Sequence, residues 1–488
     1  MLDFYNINKY RENNRIEAKK AVGGLPQSMW ETYSAFANTI GGIILLGVEE
    51  LPDKSLNTVS LPDPEELVQQ FWNIINNKQK VSVNILHDNN VQIIKVDGNR
   101  IVTIEIPRAN RHDKPVYIGD NPFTGSYRRN GEGDYHCTET EVRNMIRDSG
   151  DISQDLIVLE KINFSAFDKE TIARYRTRLV NLKPGHVWAN LSDEEFLQKI
   201  GAVSRSEIDN DLHPTIAGLL MFGYEYEIVK EFPNYFLDYR EKLDKSTRWS
   251  DRVISSTGDW SGNLFDFYFR IYNKLAADIK IPFKLEKGID RIDDTPVHEA
   301  LREALANAMI HANYYDRQGL VIEKKKDSIV FANPGGMRIT IAEAVNGGIS
   351  DPRNATLIKM FSLVGIGERA GSGLPNIHAV WKNQDWETPK LQEQFNPDRT
   401  ILSLNLKRNG DKKSAIKIGD KKSPIKSDDY KLKIIDYLTD HVEGKASDFT
   451  ELLGLKSSRT RDYLSKLVEE DIIVAEGSNR NRTYRLKS

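Results

Sequence analysis

The clearest pattern of hydrophobic and polar positions begins at Pro296. Apolar residues recur there at helical spacing: Leu301, Leu305, Ala308 and Met309. This spacing predicts a helix with one apolar face that packs on a sheet. Thr295 is suited to cap the helix, and Pro296 to its first position, where the missing N–H costs nothing. Residues 319–323 and 328–331 then read as two strands joined by a charged turn.

A second patterned region lies near the N terminus. A helix is predicted over residues 26–37, and the glycines at 41 and 42 end it. The continuous apolar run at 43–48 is typical of a strand that is buried on both faces. Further strands are predicted at 81–86, 91–96 and 100–106. Residues 1–150 are therefore expected to form a compact α/β domain.

The middle of the chain, residues 151–290, is predicted to be a connecting α/β region. Helices are expected at 165–181 and 192–200, with an apolar segment at 215–222. Its aromatic residues are expected to be core: Trp249, Trp260, Phe265, Phe267 and Tyr268. No function is assigned to them.

Residues 291–406 are predicted to form the next domain, which contains a sheet. Beyond residue 406 the composition changes to a low-complexity stretch with Gly and Lys. Residues 407–428 contain a near-repeat of Gly-Asp-Lys-Lys-Ser and predict a basic flexible linker, which serves either as a spacer or as a source of phosphate attraction. Residues 430–440, 446–453 and 457–469 read as three short helices, followed by a hairpin at 472–475 and 483–486. The last domain is therefore placed at 429–488.

Length, net charge and cysteine content limit which kinds of protein this sequence can be. The 488 residues are too many for a single core, so three or so domains are expected. The net charge of −3 predicts no global affinity for nucleic acid, so any such affinity must come from local patches. Cys137 is the only cysteine, which excludes an intrachain disulfide and fits a reducing compartment. With neither an export signal nor a long apolar segment, a cytoplasmic protein without membrane contact is expected.

The residues that could take part in catalysis or metal binding lie on the polar face of the helix that begins at Pro296. Glu303, Asn307 and His311 follow one another at four-residue spacing, so they form one stripe. A carboxylate there could activate water, and an amide oxygen suits Mg²⁺. Without other evidence, such a polar stripe is more often a solvent-exposed helix face than a functional site. The later sequences Asn-Pro-Gly-Gly at 333–336 and Gly-x-x-x-Gly-x-Gly at 367–373 strengthen the functional reading, because glycine-rich loops let backbone N–H groups approach an anion.

Together these motifs resemble the GHKL ATPase fold of gyrases and histidine kinases, in the divergent version called RecG-like, over residues 295–380. The resemblance implies an α/β sandwich that binds ATP with Mg²⁺. It implies that Glu303 activates the attacking water, that Asn307 binds Mg²⁺, and that His311 belongs to the same nucleotide site. It also implies roles for several loop residues: Gly335 and Gly336 beside the adenine, and Gly367, Gly371 and Gly373 along the phosphates.

Two positions depart from that family's pattern. Asn333 stands where the wider fold has an adenine-binding Asp, and Ala312 stands where the divergent version often has Arg. An amide oxygen can accept a hydrogen bond from the adenine amine but carries no charge. The resemblance therefore implies ATP binding more strongly than rapid hydrolysis.

The first 140 residues resemble the AlbA-type domain of Schlafen proteins. The matching residues are Glu12, then Glu17-Ala-Lys19, then Ser34 to Gly42, and Leu46 to Glu50. The resemblance implies that Glu12, Glu17 and one of Glu49 or Glu50, with Glu50 preferred, hold a divalent ion, Mg²⁺ or Mn²⁺, with Lys19 near the scissile phosphate. Clustered hard oxygen ligands are what metal-assisted hydrolysis needs. The alternative is that Glu12 and Glu17 form surface ion pairs.

Several arginines are candidates for nucleic-acid contact. Arg128 and Arg129 follow Tyr127, a combination that can hold a phosphate or stack on a base. The C-terminal domain resembles a winged helix-turn-helix. This resemblance places Arg459 and Arg461 in the recognition helix and Arg480 and Arg482 on the wing. Winged helices also mediate protein contacts, so that alternative stays open.

The sequence as a whole predicts a multidomain α/β protein that binds ATP and acts on RNA or DNA. The preferred interpretation is an ATP-regulated, metal-dependent nuclease with a role in stress or phage defence, forming a homo-oligomer around ATP. The alternative is an ATP-responsive, winged-helix transcriptional regulator without nuclease activity. A P-loop of the Gly-x-x-x-x-Gly-Lys-Ser/Thr type is missing, which disfavours a helicase motor.

Overall fold

The computed structural model describes residues 10–243, 248–277, 295–367, 372–395 and 397–408. Toward the C terminus it describes residues 434, 437–438, 441, 443–453, 455, 457–469, 472–477 and 482–487. The chain divides into two compact units, Met1–Asn409 and Gly410–Ser488.

The N-terminal domain is built around a four-stranded sheet. Its elements, in chain order, are β1 (Ile16–Lys19), α1 (Ser28–Asn38), β2 (Gly42–Leu46), β3 (Val48–Glu50), β4 (Leu56–Thr58), α2 (Pro64–Ile75), β5 (Val91–Val96), β6 (Asn99–Ile106), α3 (Pro122–Gly125), β7 (Tyr127–Asn130), β8 (Gly133–His136) and α4 (Glu139–Ser149). The sheet order is β1-β2-β6-β5, and β3-β4 and β7-β8 form separate hairpins. Helices α1 and α2 share the main core of this domain, where Trp30 stacks on Phe71 at 5.4 Å between ring centroids.

Most of the predicted N-terminal elements are confirmed. The helix predicted at 26–37 is α1, and the strands predicted at 91–96 and 100–106 are β5 and β6. The strand predicted at 43–48 stops at Leu46, because Gly47 has a φ of +84° and redirects the chain into the β3-β4 hairpin.

The strand predicted at 81–86 is wrong. Within this segment only Val81 forms a ladder bridge, to Ile118. The hydroxyl of Tyr33 instead donates to the carbonyl of Val83 at 3.1 Å and accepts from the N–H of Ile85 at 3.1 Å. A buried side chain thus satisfies backbone groups that a neighbouring strand would otherwise pair.

The connecting region continues directly into the next sheet. Its first elements are α5 (Lys169–Leu182), α6 (Asp193–Ile200), β9 (Val203–Arg205), β10 (Leu212–Pro214), α7 (Ile216–Phe222) and α8 (Glu225–Glu231). Strands β9 and β10 form a hairpin. The helices predicted at 165–181 and 192–200 are confirmed as α5 and α6, although α5 begins four residues later, after a 3₁₀ turn at Phe164–Ala166.

One six-stranded sheet spans the connecting region and the predicted ATP-binding region. Its elements are β11 (Leu237–Lys242), β12 (Asp251–Ile254), α9 (Leu264–Ala276), α10 (Pro296–Ile310), β13 (Leu320–Lys325), β14 (Ser328–Pro334), α11 (Ile341–Asn346), α12 (Ala355–Leu363), α13 (Gly373–Asn383), β15 (Lys390–Gln394) and β16 (Arg399–Asn405). The order is β12-β11-β13-β14-β16-β15; β11 and β13 run parallel, and the other neighbours antiparallel. Helix α10 packs against α9, α13 and β14.

A single hydrophobic core joins these two regions. It extends from Leu159 to Leu404 and includes the apolar face of α10, where Leu301, Leu305 and Met309 are fully buried. Three of the aromatic residues expected to be core are indeed buried: Phe265, Phe267 and Tyr268. Strands on both sides of the boundary predicted at residue 290 therefore share one sheet and one core.

The C-terminal unit has its own small core. Its described elements are β17 (Gly444–Lys445), α14 (Ala446–Leu453), α15 (Ser457–Glu469), β18 (Ile473–Glu476) and β19 (Thr483–Leu486), with sheet order β17-β19-β18. Two predicted helices and the hairpin are confirmed. The helix predicted at 430–440 and the linker at 407–428 lie largely outside the described residues.

Across the described part of the chain, no helix has the length and apolar character needed to span a bilayer.

The shared core makes a specific prediction. Phe222 is fully buried and packs edge-on against Tyr175 and Phe167, with ring centroids 5.2 and 6.2 Å apart. Phe222→Ala should lower the free energy of unfolding by about 3–5 kcal/mol. Because the core is common, residues 155–277 and 295–408 should lose stability together, which denaturant unfolding with limited proteolysis can measure.

The control is Ile208→Ala, since Ile208 is 81% exposed and should change stability by no more than about 0.5 kcal/mol. Selective melting of the connecting region, with the second region intact, would contradict the single core.

Candidate nucleotide-binding site

Helix α10 carries the predicted polar stripe and begins as the sequence indicates. Thr295 forms the N-cap and Pro296 takes the first helical position. With Leu301 and Leu305 turned into the core, Glu303 and Asn307 line a cavity on the opposite side. The amide N–H of Asn307 donates to Glu303 Oε1 at 3.1 Å. This bond orients the carboxylate and uses the amide nitrogen, so the amide oxygen is the atom of Asn307 suited to a cation.

A cavity lies beside α10, and its lining includes Glu303, Asn307, His311, Asn333 and Gly336. The stripe on α10 and the Asn-Pro-Gly-Gly turn after β14, far apart in sequence, therefore face one space.

A second cavity continues from the first. Both are lined by Glu303 and Gly373, and the second adds the backbone of Gly367 and the side chains of Arg302 and Lys359. The carboxylate of Glu303 thus lies at the junction, with glycine backbone, the cationic residues Lys183, Arg302 and Lys359, and the acid Glu299 beyond it. Backbone N–H groups and cations are the groups that hold phosphates in proteins.

The glycine-rich loop passes close to the carboxylate of Glu303. A Cβ built on Gly373 would lie 2.0 Å from Glu303 Oε1, far inside van der Waals contact. Gly367 has a φ of +69°, which side chains rarely adopt, and its Cβ position is 3.8 Å from Glu303 Oε2. Gly371, the remaining predicted phosphate-loop glycine, lies outside the described residues.

Asn333 is the buried polar residue at the other end of the cavity. It is 5% exposed, and its Nδ2 has no hydrogen-bond partner among the residues that the structure describes. A buried amide donor without a partner costs free energy that a ligand acceptor would recover. The amide N–H of Asn333 can therefore donate a hydrogen bond to an acceptor atom on the ring of a bound ligand.

Gly335 differs from its predicted role. Gly336 lines the nucleotide cavity, but Gly335 turns toward the N-terminal domain and lines a different space. Its φ is +90°, and a Cβ there would lie 2.9 Å from Asn313 Cβ and 3.0 Å from Arg353 Nη1. Gly335 is required for this close packing, so its placement beside the adenine is corrected.

His311 is neutral at physiological pH. Burial, followed by the positive charges of Arg353 and Arg338, lowers the pKa of His311 to about 4, whereas Asp351 opposes the shift. A neutral imidazole in the cavity can donate or accept a hydrogen bond, but it cannot neutralise a phosphate.

Arg353 is a site residue that the sequence pattern missed. It is 6% exposed and donates to the carboxylate of Asp148 on α4 at 2.8 and 2.9 Å. It also donates to the carbonyl of Gly336 at 3.0 Å and to the carbonyl of His311. One guanidinium thus joins the N-terminal domain to two backbone positions of the nucleotide cavity. No spacing rule marks it, because its partners are distant in sequence.

The N-terminal carboxylates are near one another but do not converge. Burial raises the pKa of Glu12, and the charges of Glu17 and Glu50 contribute, although the N–H of Ala18 bonds to Glu12 at 2.9 Å and opposes the shift. Glu17 is engaged on both oxygens, by Lys19 at 2.7 Å and by Arg129 at 2.7 Å.

In the described residues, the single group of acids and histidines whose ligand atoms all lie within 4.8 Å is Glu160, Asp209 and His213. Glu12, Glu17 and Glu50 therefore do not form such a group in this structure, and their role as metal ligands stays a prediction. The other group was not foreseen, although Asp209 and His213 are four residues apart. His213 already contacts Asp209 at 2.9 Å and the carbonyl of Ile162 at 3.1 Å.

Arg129 is not a surface contact for nucleic acid. Its side chain is 1% exposed, is bonded to Glu17 and Asp134, and lies over the ring of Phe36. The reason is physical: a buried guanidinium requires carboxylates, and Glu17 supplies one. Arg128 is 19% exposed, lies 3.3 Å from Glu141, and lines the space between the domains.

The C-terminal arginines are only partly described. Arg461 is exposed on α15, and the Arg482 guanidinium lies 5.6 Å from the ring centroid of Tyr484. The side chain of Arg459 and all of Arg480 lie outside the described residues. Their assignment to DNA contact stays a prediction.

The lowered pKa of His311 predicts how stability depends on pH. Its folded pKa of about 4 lies below the ordinary value of 6.5, so between these values the unfolded chain binds a proton that the folded chain does not. Stability is therefore lost as pH falls through this window. Between pH 7 and pH 5, His311→Gln should lose about 2 kcal/mol less than the wild type, measured by denaturant unfolding.

Exposed His87 provides the control, since His87→Gln should follow the wild type. Equal losses for His311→Gln and the wild type would refute the neutral, buried imidazole.

Comparison with known families and structures agrees with two of the predicted regions. Residues 12–138 match the family described as Schlafen, AlbA_2. Residues 318–401 match the family described as putative ATP-dependent DNA helicase recG C-terminal, and residues 143–238 match a domain of unknown function, DUF8451. Among curated proteins, nothing matches significantly.

Two solved structures are similar to this chain, one over most of its length and the other over a part of it. A crystal structure of a protein from Corynebacterium diphtheriae is 15% identical, covers 97% of this chain and 95% of its own, and has a TM-score of 0.40. A solution NMR structure of the N-terminal domain of a putative ATP-dependent DNA helicase RecG-related protein from Nitrosomonas europaea is 29% identical. It covers 28% of this chain and 95% of its own, with a TM-score of 0.23.

The chain therefore contains two regions that match known domain families: an N-terminal region similar to the Schlafen AlbA_2 domain and a later region similar to the RecG C-terminal HATPase-type domain.

Proposed function

We propose that this chain binds ATP with Mg²⁺ in the two joined cavities beside α10 and acts on nucleic acid. The observation that carries this proposal is the position of the Glu303–Asn307 pair, where the cavity that ends at Asn333 meets the cavity bordered by Gly367 and Gly373. A nucleoside fits the first space and phosphates the second. The family matches support the same reading, because one of them is to an ATPase-type domain.

The residues have distinct roles in this proposal. Asn333 recognises the base with its unsatisfied N–H, and Asn307 offers its amide oxygen to Mg²⁺. Glu303, held by Asn307, accepts the proton of the water that attacks the terminal phosphate. Arg302 and Lys359 contribute positive charge on the phosphate side. When bound, Mg²⁺ neutralises phosphate charge, which is the usual contribution of a metal to phosphoryl transfer.

Two substitutions separate binding from turnover. Asn307→Ala should weaken Mg²⁺-dependent ATP binding at least tenfold while leaving binding in EDTA unchanged. Glu303→Gln should bind Mg·ATP about as well as the wild type and lose about 10²-fold or more in turnover, because a general base contributes that much. Calorimetry and phosphate release measure the two quantities.

Asn383→Ala is the matched control, because Asn383 is exposed at the far end of α13. Mg·ATP affinity that is equal in Asn307→Ala and the wild type would exclude the proposed metal role.

Nucleic-acid cleavage by the N-terminal domain is the finer proposal. Its support is the match to Schlafen AlbA_2 and the electrostatic proximity of Glu17 and Glu50 to Glu12, each of which raises the pKa of Glu12. A divalent ion among these acids would relieve their mutual repulsion and activate water against a phosphodiester. The wider proposal is that such an activity serves stress or phage defence.

Glu50 is the residue to change, because Glu17 also neutralises buried Arg129 and its loss would destabilise the domain. Glu50→Gln should remove most cleavage of labelled RNA or DNA in Mn²⁺ and leave binding in EDTA intact. Glu49→Gln is the matched control, since Glu49 pairs with Lys20 at 2.8 Å on the surface.

If the wild type cuts neither RNA nor DNA with any metal or nucleotide, the regulator alternative replaces the nuclease proposal. In that alternative the C-terminal unit binds DNA as a winged helix, with Arg461 exposed on α15, and ATP shifts a conformational equilibrium.

A further inference from the structure

A separate cavity lies between the N-terminal domain and the nucleotide-binding region. It is formed by the end of α1, the loop at 108–114, β7, α4 and the turn at Gly335 and Gly336. Gly336, Met337, Arg338 and Arg353 line both this cavity and the nucleotide cavity. The two spaces are therefore neighbours with a shared wall.

The lining of this interdomain cavity is rich in cations, of which Arg111 and Arg129 pair with carboxylates outside the lining: Asp351, Glu17 and Asp134. Its cations are Arg108, Arg111, Lys114, Arg128, Arg129, Arg338 and Arg353, and its carboxylates are Glu141, Asp148, Glu393 and Asp398. Three of the four carboxylates already pair with arginines of the cavity. Burial raises the pKa of the fourth, Asp398, to about 6, so it is partly neutral near that pH.

Lys114 is a cation without a direct ion pair among the described residues. Its ammonium donates to the carbonyl of Asn38 at 2.7 Å, and no described carboxylate lies within 4.0 Å of it. Burial, followed by the charge of Arg108, lowers the pKa of Lys114 to about 7, whereas the more distant charges of Glu393, Asp398 and Asp148 oppose the shift. A desolvated ammonium without an anion is costly, and an anionic ligand would remove that cost.

Two further donors in the same wall have no hydrogen bond of good geometry. The Nε atoms of Arg128 and Arg338 are buried and make no hydrogen bond within the described part of the chain, although Arg128 Nε lies 3.3 Å from the carboxylate of Glu141. Arg338 has a side chain that is 7% exposed, and the nearest paired carboxylate oxygen of Asp148 is 3.5 Å from its Nε. Guanidinium groups bind phosphate oxygens with particular geometric preference.

We propose that the interdomain cavity is a second ligand site, which binds a small phosphate-bearing anion through Lys114, Arg128 and Arg338. The site is distinct from the proposed ATP site and does not depend on it. Because Arg338 and Arg353 belong to both walls, the anion also contacts the element that joins the N-terminal domain to the nucleotide cavity.

The test uses pyrophosphate as the probe and the only cysteine as the reporter. Cys137 lines the interdomain cavity and is absent from the lining of both cavities beside α10, so its protection identifies which site is filled. Burial raises the pKa of the Cys137 thiol to about 12, so labelling by a methanethiosulfonate is slow and its rate can be followed. Pyrophosphate should slow that rate at least fivefold in the full chain, against potassium chloride of equal ionic strength.

Lys114→Met should abolish this protection, leaving a change below twofold. Lys95→Met is the matched control, because Lys95 is exposed on β5, and it should retain full protection. The melting temperature of Lys114→Met should be no lower than that of the wild type, since a desolvated charge is removed. If Lys114→Met does not fold, Arg128→Gln takes its place.

Three results would overturn the proposal: no protection of the wild type, equal protection of Lys114→Met and the wild type, or equal protection by citrate, which would mean that any polyanion fits. Failure of ATP to bind beside α10 would leave Cys137 protection unchanged, so the two proposals fail separately.

Discussion

The buried guanidinium of Arg353 is the contact on which the arrangement of the nucleotide cavity depends. It holds the carboxylate of Asp148 from one domain and the carbonyls of His311 and Gly336 from the other. Burial opposes ionisation of Asp148, but the charge and hydrogen bonds of Arg353, together with the charges of Arg338 and Arg111, outweigh burial and lower the pKa of Asp148. Removing one partner of such a pair typically costs about 3–5 kcal/mol, because the other charge stays buried.

This constraint explains several local features. Gly335 must be glycine, because a side chain would occupy the space of Arg353 and Asn313. Further pairs reinforce the same junction: Arg108 with Glu393, and Arg111 with Asp351. The connecting region contributes as well, since buried Asp155 accepts the N–H groups of Thr356 and Leu357 at 2.8 Å and so fixes the start of α12. Three stretches of sequence therefore build one nucleotide cavity, which provides a physical route by which nucleotide could affect the N-terminal domain.

The sequence predicted what local rules determine. Helix α10 has a proline start, helical apolar spacing and a polar stripe, and these features depend on residues within a few turns of one another. The positions of Glu303, Asn307 and Asn333 around one cavity followed from the family resemblance. The phosphate-loop glycines could be tested only at Gly367 and Gly373.

The incorrect predictions share one cause: a residue that is distant in the sequence forms the contact that determines the local structure. The Tyr33 hydroxyl replaces the strand expected at 81–86. The sequence indicated that Arg129 contacts a phosphate. In the fold its guanidinium instead forms an ion pair with Glu17, which is distant in the sequence. Arg353 has no local signature, because its partners lie on α4, at the end of α10 and in the turn after β14. Tertiary pairing of this kind cannot be derived from spacing in a single sequence.

The most direct test of the account is hydrogen–deuterium exchange of the full chain with and without Mg·ATP. Binding beside α10 should slow exchange in peptides that cover Glu303–His311 and Asn333–Met337. Through Arg353 it should also slow exchange in α4, whose described residues do not line that cavity but whose Asp148 is bonded to Arg353 and lies near Arg338. Protection of both regions is the predicted result. Unchanged exchange in the first two segments at saturating Mg·ATP would contradict the nucleotide site itself.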